Sequence, residues 1–337
     1  MSRLPRNQIL IGDAREVLTS LPADSVDCVI TSPPYFHLRD YQSAQQIGLE
    51  AHVDDWAHEL LLVARKLSRV LKGSGSLWLN LGDTYSRRTG EGAPEKSLVL
   101  APERLALALV RDGWILRNKV IWAKTNPVPN SVSDRFTTTY DLVYFLTRER
   151  RYFFDLDAVR VPHASKRSPS RTKAWSQPYG WRAPSAPREN EGLAHLKAEG
   201  QVGHPLGKNA GDVWPLATGG DRGPHHSVFP ERLVERPLLA TCPEKICGAC
   251  GAPWTRESQR TLGHLAVAGE LKASCTCDAG PRPGLVLDPF MGSGTVAAVA
   301  TRLGREWLGI ELNPAFAKLA NERLSQLEQR PPPLRAA

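Results

Sequence analysis

Two consecutive prolines, Pro33-Pro34, directly after the run Val26-Asp27-Cys28-Val29-Ile30, limit what this chain can fold into more than any other feature. The run reads as a short buried strand. Proline has no N–H for a ladder and fixes its own φ, so the strand must stop there. Each proline also restrains the residue before it. Thr31-Ser32-Pro33-Pro34-Tyr35 is therefore a stiff corner at the C-terminal end of a strand. Open α/β sheets bind ligands along that edge. The corner suits a flat group that bears an amine. The Ser32 hydroxyl and the Pro33 carbonyl can accept the amine hydrogens, and Tyr35 can stack on the ring. A plain Pro-Pro turn is the competing reading of these five residues taken alone.

A second constellation lies near the other end of the chain. Leu285-Val286-Leu287-Asp288-Pro289-Phe290-Met291-Gly292-Ser293-Gly294-Thr295 runs from an apolar strand through a glycine turn into a helix over Thr295 to Leu303. Glycine lets a ligand approach the backbone closely. A helix N-terminus offers unpaired N–H groups to a carboxylate or phosphate. One strand later, Trp307-Leu308-Gly309-Ile310-Glu311 ends in an acid placed to bind ribose hydroxyls. This is not the dinucleotide pattern G-x-G-x-x-G, and a structural strand–turn–helix is the alternative.

The remaining elements follow from periodicity. Gln8-Ile9-Leu10-Ile11-Gly12-Asp13 reads as a strand whose terminal Asp13 either binds a ligand or caps a helix from Ala14 to Leu21. Val53 to Leu71 has apolar residues at helical spacing, ended by Gly73-Ser74-Gly75, and Ser76 to Leu81 is a strand. That helix–strand step implies a parallel pair. Residues 84 to 96 read as a mobile loop, and Leu98 to Arg111 as a second amphipathic helix. Trp114 to Lys124 and Tyr140 to Thr147 are expected to be antiparallel neighbours at one sheet edge. Glu231 to Ala240 reads as a helix, as does Asn313 to Gln329 with Asn313 as its cap. The Pro-rich tail, 331–337, reads as disordered.

From Arg151 to His225 the periodicity disappears. Lys166, Arg167, Arg171, Lys173, Arg182 and Arg188 occur there without an intervening acid, interleaved with Trp175, Tyr179 and Trp181. Cations can neutralise phosphates while aromatics stack on exposed bases. A disordered basic linker is the alternative. The net charge of +8 and pI near 9.3 favour a polyanionic partner. No apolar run approaches the roughly 18 residues of a membrane span. The charged N-terminus has no apolar core behind it, so a cytoplasmic location is expected. Five of the six cysteines fall within one short region. Cys247-x-x-Cys250 and Cys275-x-Cys277 suit a structural zinc site with four thiolate ligands; Cys242 or His264 could substitute, and free buried thiols are the alternative.

Taken together, the two constellations resemble the amino-group DNA methyltransferases that use S-adenosylmethionine. The Ser-Pro-Pro-Tyr form is similar to the cytosine-N4 branch, whereas the adenine-N6 branch more often has Asp in place of Ser32. The order of corner, basic region and glycine turn is similar to the β group. Leu38-Arg39-Asp40-Tyr41, Asp134-Arg135 with Tyr140, and Phe229-Pro230-Glu231 also match family positions. The resemblance implies an α/β, Rossmann-like methyltransferase fold with a mostly parallel seven-stranded sheet. To this it adds an irregular DNA-recognition region and a small Cys-rich zinc insertion, the latter a departure from the minimal family plan. It assigns 1–150 to the catalytic half, 151–225 to target recognition, 226–241 with 280–330 to the cofactor-binding half, and 242–279 to the zinc module. It implies catalytic roles for Ser32, Pro33, Pro34 and Tyr35. Cofactor contacts are implied for Asp13, Asp288, Pro289, Phe290, Gly292, Ser293, Gly294, Thr295 and Glu311. DNA contacts are expected of Arg39 and the six basic residues above.

The expected reaction is methyl transfer to the N4 amine of a cytosine flipped out of duplex DNA, within a restriction–modification system that can include a cognate endonuclease. Carbon-5 methylation needs a thiolate, normally in a Pro-Cys pair, and no cysteine here follows a proline. Adenine-N6 methylation, methylation of RNA or a protein amide, and a non-catalytic zinc-containing DNA-binding protein are the rivals. Neither the recognition sequence nor the choice between monomer and homodimer is written in the chain.

Overall fold

The computed structural model describes residues 4–40, 45–162, 206–219, 229–261 and 264–328. The basic stretch from Lys166 to Arg188 and the 331–337 tail lie outside the described residues. The chain divides into two compact units, one of 1–155, 211–255 and 273–337, the other of 156–210 and 256–272.

The larger unit is organised by one sheet. Its strands are β1 (Gln8–Ile11), β2 (Val26–Thr31), β3 (Leu71–Leu81), β4 (Ile115–Lys124), β5 (Tyr140–Thr147), β6 (Val213–Leu216), β11 (Leu285–Asp288) and β12 (Glu306–Glu311). Their order is β1-β12-β11-β2-β3-β5-β4-β6. Only β5 runs against its neighbours; every other pairing is parallel. The helices are α1 (Ala14–Ser20), α2 (Val53–Val70), α3 (Ala101–Arg111), α4 (Glu231–Thr241), α5 (Thr295–Arg302) and α6 (Pro314–Glu328).

Strand alternation creates the two cores. In β2, Val29 joins the apolar cluster that holds residues of α1, α2 and α3, while Cys28 and Ile30 join the one that holds α4, α5 and α6. In β11, Leu285 and Leu287 face the first cluster and Val286 the second. Both strands are covered on both faces, which is why they read as mostly apolar runs without alternation.

Several expectations change. The sheet has eight strands rather than seven, because the short β6 pairs with β4 and takes the edge expected of β4 and β5. Those two are antiparallel as expected, with β5 inserted between β3 and β4. Gly73-Ser74-Gly75 does not end a helix; it lies inside β3. Val26 pairs with Leu71 and Cys28 with Ser76, so the intervening residues of β3 bulge out of the ladder. A β-carbon on Gly75 would stand 2.7 Å from Leu71 Cγ and 2.9 Å from the Asp27 carbonyl, so the bulge requires glycine. The 84–96 segment is stitched across its ends by Ser86 N–H to Ser97 O (2.8 Å) and Lys96 N–H to Ser86 O (2.9 Å). Helix α3 begins at Ala101, not Leu98, because Leu98 bridges Tyr85 and Leu100 turns left-handed at φ 56°. The Asp83 carboxylate then caps it, accepting from Leu100 and Ala101 N–H, each at 3.1 Å. Asn313 caps α6 as expected, its Oδ1 accepting from Ala315 N–H at 2.9 Å.

In the smaller unit, Val161 and Lys208 exchange two backbone hydrogen bonds of 2.9 Å beside a single 3-10 turn, Asp157–Val159. Strands β8 (Trp254–Thr261) and β9 (His264–Ala273) form a two-stranded sheet, of which residues 256–272 belong to the smaller unit. In the larger unit, β7 (Ile246–Cys247) pairs with β10 (Pro281–Arg282).

Candidate active site

The Pro33-Pro34 corner and the glycine turn begin on adjacent parallel strands. β2 lies beside β11, with Cys28 opposite Val286 and Val29 opposite Leu287. Both strands therefore end at the same sheet edge. The contact is direct: the buried Thr31 hydroxyl donates to Asp288 Oδ1 at 2.6 Å. Asp288 also accepts from Phe290 N–H at 3.1 Å. Burial pushes the Asp288 carboxyl up to about 7, against the lowering effect of these two donors.

The corner is held from below. Pro34 O accepts from the indole of the fully buried Trp56 at 2.9 Å. Asn80, at the end of β3, donates through Nδ2 to the Tyr35 hydroxyl (2.8 Å) and to Ser32 Oγ (3.3 Å). Ser32 Oγ lies 3.3 Å from the Tyr35 hydroxyl and 3.4 Å from Asn80 O. Asn80 is only 5% exposed, yet its Oδ1 has no partner. A buried unpaired acceptor is costly, so its persistence beside the corner marks a site that a donor completes. Two further residues flank Tyr35. A β-carbon on Gly82 would stand 2.8 Å from Tyr35 Cε2 and 3.1 Å from Asp141 Oδ1. Asp141 is paired with Lys124 at 2.8 Å. Asn80, Gly82 and Asp141 have no motif of their own; they become visible only once β2, β3 and β5 are placed side by side, as does the bond from Thr31, the first residue of the corner, to Asp288.

The glycine turn follows β11. Gly292 (φ 52°) and Gly294 (φ 79°) adopt left-handed backbone, which glycine alone takes without strain. A β-carbon on Gly292 would meet nothing within 4 Å, so the turn is open to a ligand there. Met291 lies so close over Gly309 that a β-carbon on Gly309 would overlap its Sδ. Glu311 accepts from Gly292 N–H through Oε2 (2.7 Å) and from Asn313 N–H through Oε1 (2.9 Å). Burial raises its pKa despite these bonds. Each oxygen keeps a second lone pair for a hydroxyl donor. Ser293 and Thr295 lie near the guanidinium of Arg323, which Glu231 holds at 2.9 Å. Asp13 ends β1 beside Glu311, since Gly12 N–H bonds Glu311 O at 2.9 Å. Its carboxylate caps α1 through Arg15 N–H (2.7 Å) and pairs with the Arg15 side chain. Burial opposes ionisation, but the Arg15 bonds leave Asp13 below its ordinary pKa. Asp13, Glu311, the glycine turn and the corner thus stand on the ends of four successive strands. Arg39 follows the corner, half-buried.

The thiols of Cys247, Cys250, Cys275 and Cys277 lie within 4.8 Å of one another. Four thiolates around one zinc, each at about 2.3 Å, stand about 3.8 Å apart, so the set fits a tetrahedral ion. Backbone N–H groups of Cys250 and Ala249 bring the Cys247 thiol down to about 6, while hydrogen bonds with Cys250 and Cys275 push the Cys277 thiol up to about 12. Cys242 is buried apart from this cluster, against Gly284; the His264 side chain lies outside the described residues. The cluster precedes β11, at the end of the sheet opposite the corner. Lys72 ties it to the core, bonding Gly251 O (3.0 Å) and the buried Asp27 (2.6 Å), which also accepts from Leu285 N–H at 2.9 Å.

Comparison with known proteins agrees with this geometry. Residues 26–322 match a DNA methylase family, the N6/N4 methyltransferases. The type II methyltransferase M.SmaI of Serratia marcescens is 32% identical over 345 residues, covering 96% of this chain and 92% of that protein. M.Cfr9I of Citrobacter freundii is 30% identical, covering 93% and 86%. Among solved structures, the cytosine-N4-specific PvuII DNA methyltransferase superposes with a TM-score of 0.58 at 17% identity, over 97% of this chain and 93% of that one. A putative DNA modification methylase of Thermus thermophilus, complexed with S-adenosyl-L-methionine, gives 0.51 at 23% identity, over 96% of each chain. These likenesses support the methyltransferase fold, and the family match takes in both the corner and the glycine turn. The chain therefore belongs to the N6/N4 family of DNA methylases, as a DNA methyltransferase of the restriction–modification type.

Proposed function

We propose that this enzyme transfers a methyl group from S-adenosylmethionine to the N4 amine of a cytosine in duplex DNA. The observation that carries the reading is the 2.6 Å bond between Thr31, at the mouth of the corner, and Asp288, at the mouth of the glycine turn. Amine acceptors and cofactor cradle then share one edge. The corner's Ser32 and the likeness to a cytosine-N4-specific neighbour favour cytosine over adenine.

S-adenosylmethionine, when bound, supplies an electrophilic methyl on a good leaving group. The residues suited to hold it are Asp288, Pro289, Phe290, Gly292, Ser293, Gly294, Thr295, Glu311 and Asp13. Glu311 offers its remaining lone pairs to ribose hydroxyls, and the open Gly292 backbone lets the ligand approach. At the corner, a cytosine N4 lone pair is delocalised into the ring and is a poor nucleophile. Ser32 Oγ and the Pro33 carbonyl accept its two N–H bonds, which localises the lone pair. Tyr35 stacks on the ring and holds the plane. Asn80 keeps the Ser32 and Tyr35 hydroxyls in place. Positioning and fixed dipoles supply the rate, and no covalent enzyme intermediate is needed. The base must leave the duplex to reach the corner.

The other assignments complete the reading. Cys247, Cys250, Cys275 and Cys277 hold a structural zinc. The 151–225 region, with Lys166, Arg167, Arg171, Lys173, Arg182 and Arg188, reads the DNA site, assisted by Arg39. The halves 1–150 and 226–241 with 280–330 build the catalytic domain, and 242–279 forms the zinc module. A cognate endonuclease shares the recognition sequence. The test is to methylate plasmid DNA with the purified enzyme, digest it to nucleosides and weigh them. N4-methylcytosine is expected; N6-methyladenine would assign the corner to the other amine, and unmodified nucleosides would refute the proposal.

A further inference from the structure

The two most exposed large apolar side chains among the described residues are Phe136 (96%) and Val128 (82%), and both lie in one loop, 125–139. An isolated exposed apolar residue means little. Here the loop's origin matters. It leaves the sheet at Lys124 and returns at Tyr140, the ends of β4 and β5 that adjoin the corner. Its stem is the Lys124–Asp141 pair, and Asp141 flanks Tyr35 across Gly82. Lys124 N–H closes the stem on Thr139 O at 2.8 Å.

The loop is braced on both arms. Asn126 Oδ1 accepts from Thr218 N–H at 2.7 Å, and Pro127 and Pro129 stiffen the outgoing arm. On the return arm, Asp134 pairs with Lys96 at 3.3 Å. The Arg135 guanidinium lies 3.7 Å from the centre of the Tyr85 ring, three residues past Gly82. Arg135 also bonds Phe136 O at 3.1 Å. Phe136 is thus carried on a braced loop that springs from the ends of β4 and β5, with a cation beside it. Holding a phenyl ring in water is unfavourable unless a partner covers it. The partner that must come to this edge is the DNA substrate.

We propose that Phe136 enters the duplex and occupies the space that the target base vacates. The inference rests on the base-flipping reading above. Extrusion leaves an unstacked gap, and an apolar wedge stabilises the open duplex by restacking it. Arg135, anchored on Tyr85, faces the flanking phosphate.

The test compares native enzyme, Phe136→Ala and Phe136→Trp on synthetic duplexes carrying the recognition site, first located by mapping the methylated positions of a plasmid exposed to native enzyme. One duplex is fully paired; the other carries a mismatch at the target base, which lowers the cost of extrusion. Native enzyme should act on both within a few-fold. Phe136→Ala should lose at least about tenfold in kcat/KM on the paired duplex and recover most of it on the mismatched one. Phe136→Trp should retain activity on both. Cofactor affinity and Tm should match the native protein in each variant. Native activity of Phe136→Ala on the paired duplex would overturn the wedge. So would an equal loss on both duplexes, or a change in sedimentation that assigns Phe136 to contact between copies of the chain. A native enzyme that methylates neither duplex would overturn the underlying reading and the wedge with it.

Discussion

Gly82→Ala tests the corner without altering any of its functional groups. The added methyl would lie 2.8 Å from Tyr35 Cε2 and 3.1 Å from Asp141 Oδ1. Ordinary carbon contacts begin at about 3.5 Å, so the ring must move by about 0.7 Å. Tyr35 is half-buried and can swing outward, while Gly82 has no left-handed φ that Ala would strain. The stability cost should stay at about 1–3 kcal/mol, the usual range for overpacking. Function should suffer more. The ring displacement stretches the 2.8 Å bond from Asn80 to the Tyr35 hydroxyl and tilts the stacking plane. A misplacement of this order costs about 100-fold in rate. Steady-state methyl transfer should therefore show kcat reduced by about 10- to 100-fold, with cofactor affinity unchanged. A Gly82→Ala enzyme at native kcat would refute the role given to the Tyr35 plane.

Other perturbations address the frame around the corner. Thr31→Val removes the hydroxyl from Asp288 while keeping the shape, and should destabilise by about 1–3 kcal/mol in denaturant melts. Asp288 holds a proton in the folded state up to about pH 7, whereas the unfolded carboxyl releases it near 3.8. Its contribution to stability is therefore complete below pH 4, falls as pH rises to 7, and is flat above. The loss across that window is of the order of 4 kcal/mol, and Asp288→Asn should flatten that part of a Tm–pH curve. Native protein should carry one zinc per chain by atomic emission, and a Cys250→Ser, Cys277→Ser double variant should lose it with a drop in Tm; metal-free native protein at unchanged Tm would reject the zinc site.

The strands that carry the site are legible in sequence because β2, β11 and β12 are buried on both faces, so their residues are mostly apolar and each run stops at a polar residue, followed in β2 and β11 by proline. The glycines of the turn after β11 are legible for another reason: left-handed backbone leaves a compositional mark. The bulge in β3 is not, since Gly73 and Gly75 look like a helix stop until Leu71 and the Asp27 carbonyl are seen to fill the space a side chain would need. Asn80 and Asp141 are polar residues inside strands, and their importance comes from neighbours across the sheet, at a sequence distance of 45 residues in the case of Asn80 and Tyr35. The edge strand β6 is only four residues long, too short for a period. The thiol cluster is readable from spacing, but its attachment through Lys72 to Asp27 is not.

The central claim is that the corner performs the transfer while the glycine turn holds the cofactor. Methyl transfer by Ser32→Ala at saturating S-adenosylmethionine, with cofactor affinity measured on the same preparation by calorimetry, tests it most directly. Affinity within a few-fold of native and a transfer rate lower by at least about 100-fold is the result this account predicts. Transfer at the native rate, or loss of cofactor binding as the cause of inactivity, would contradict it.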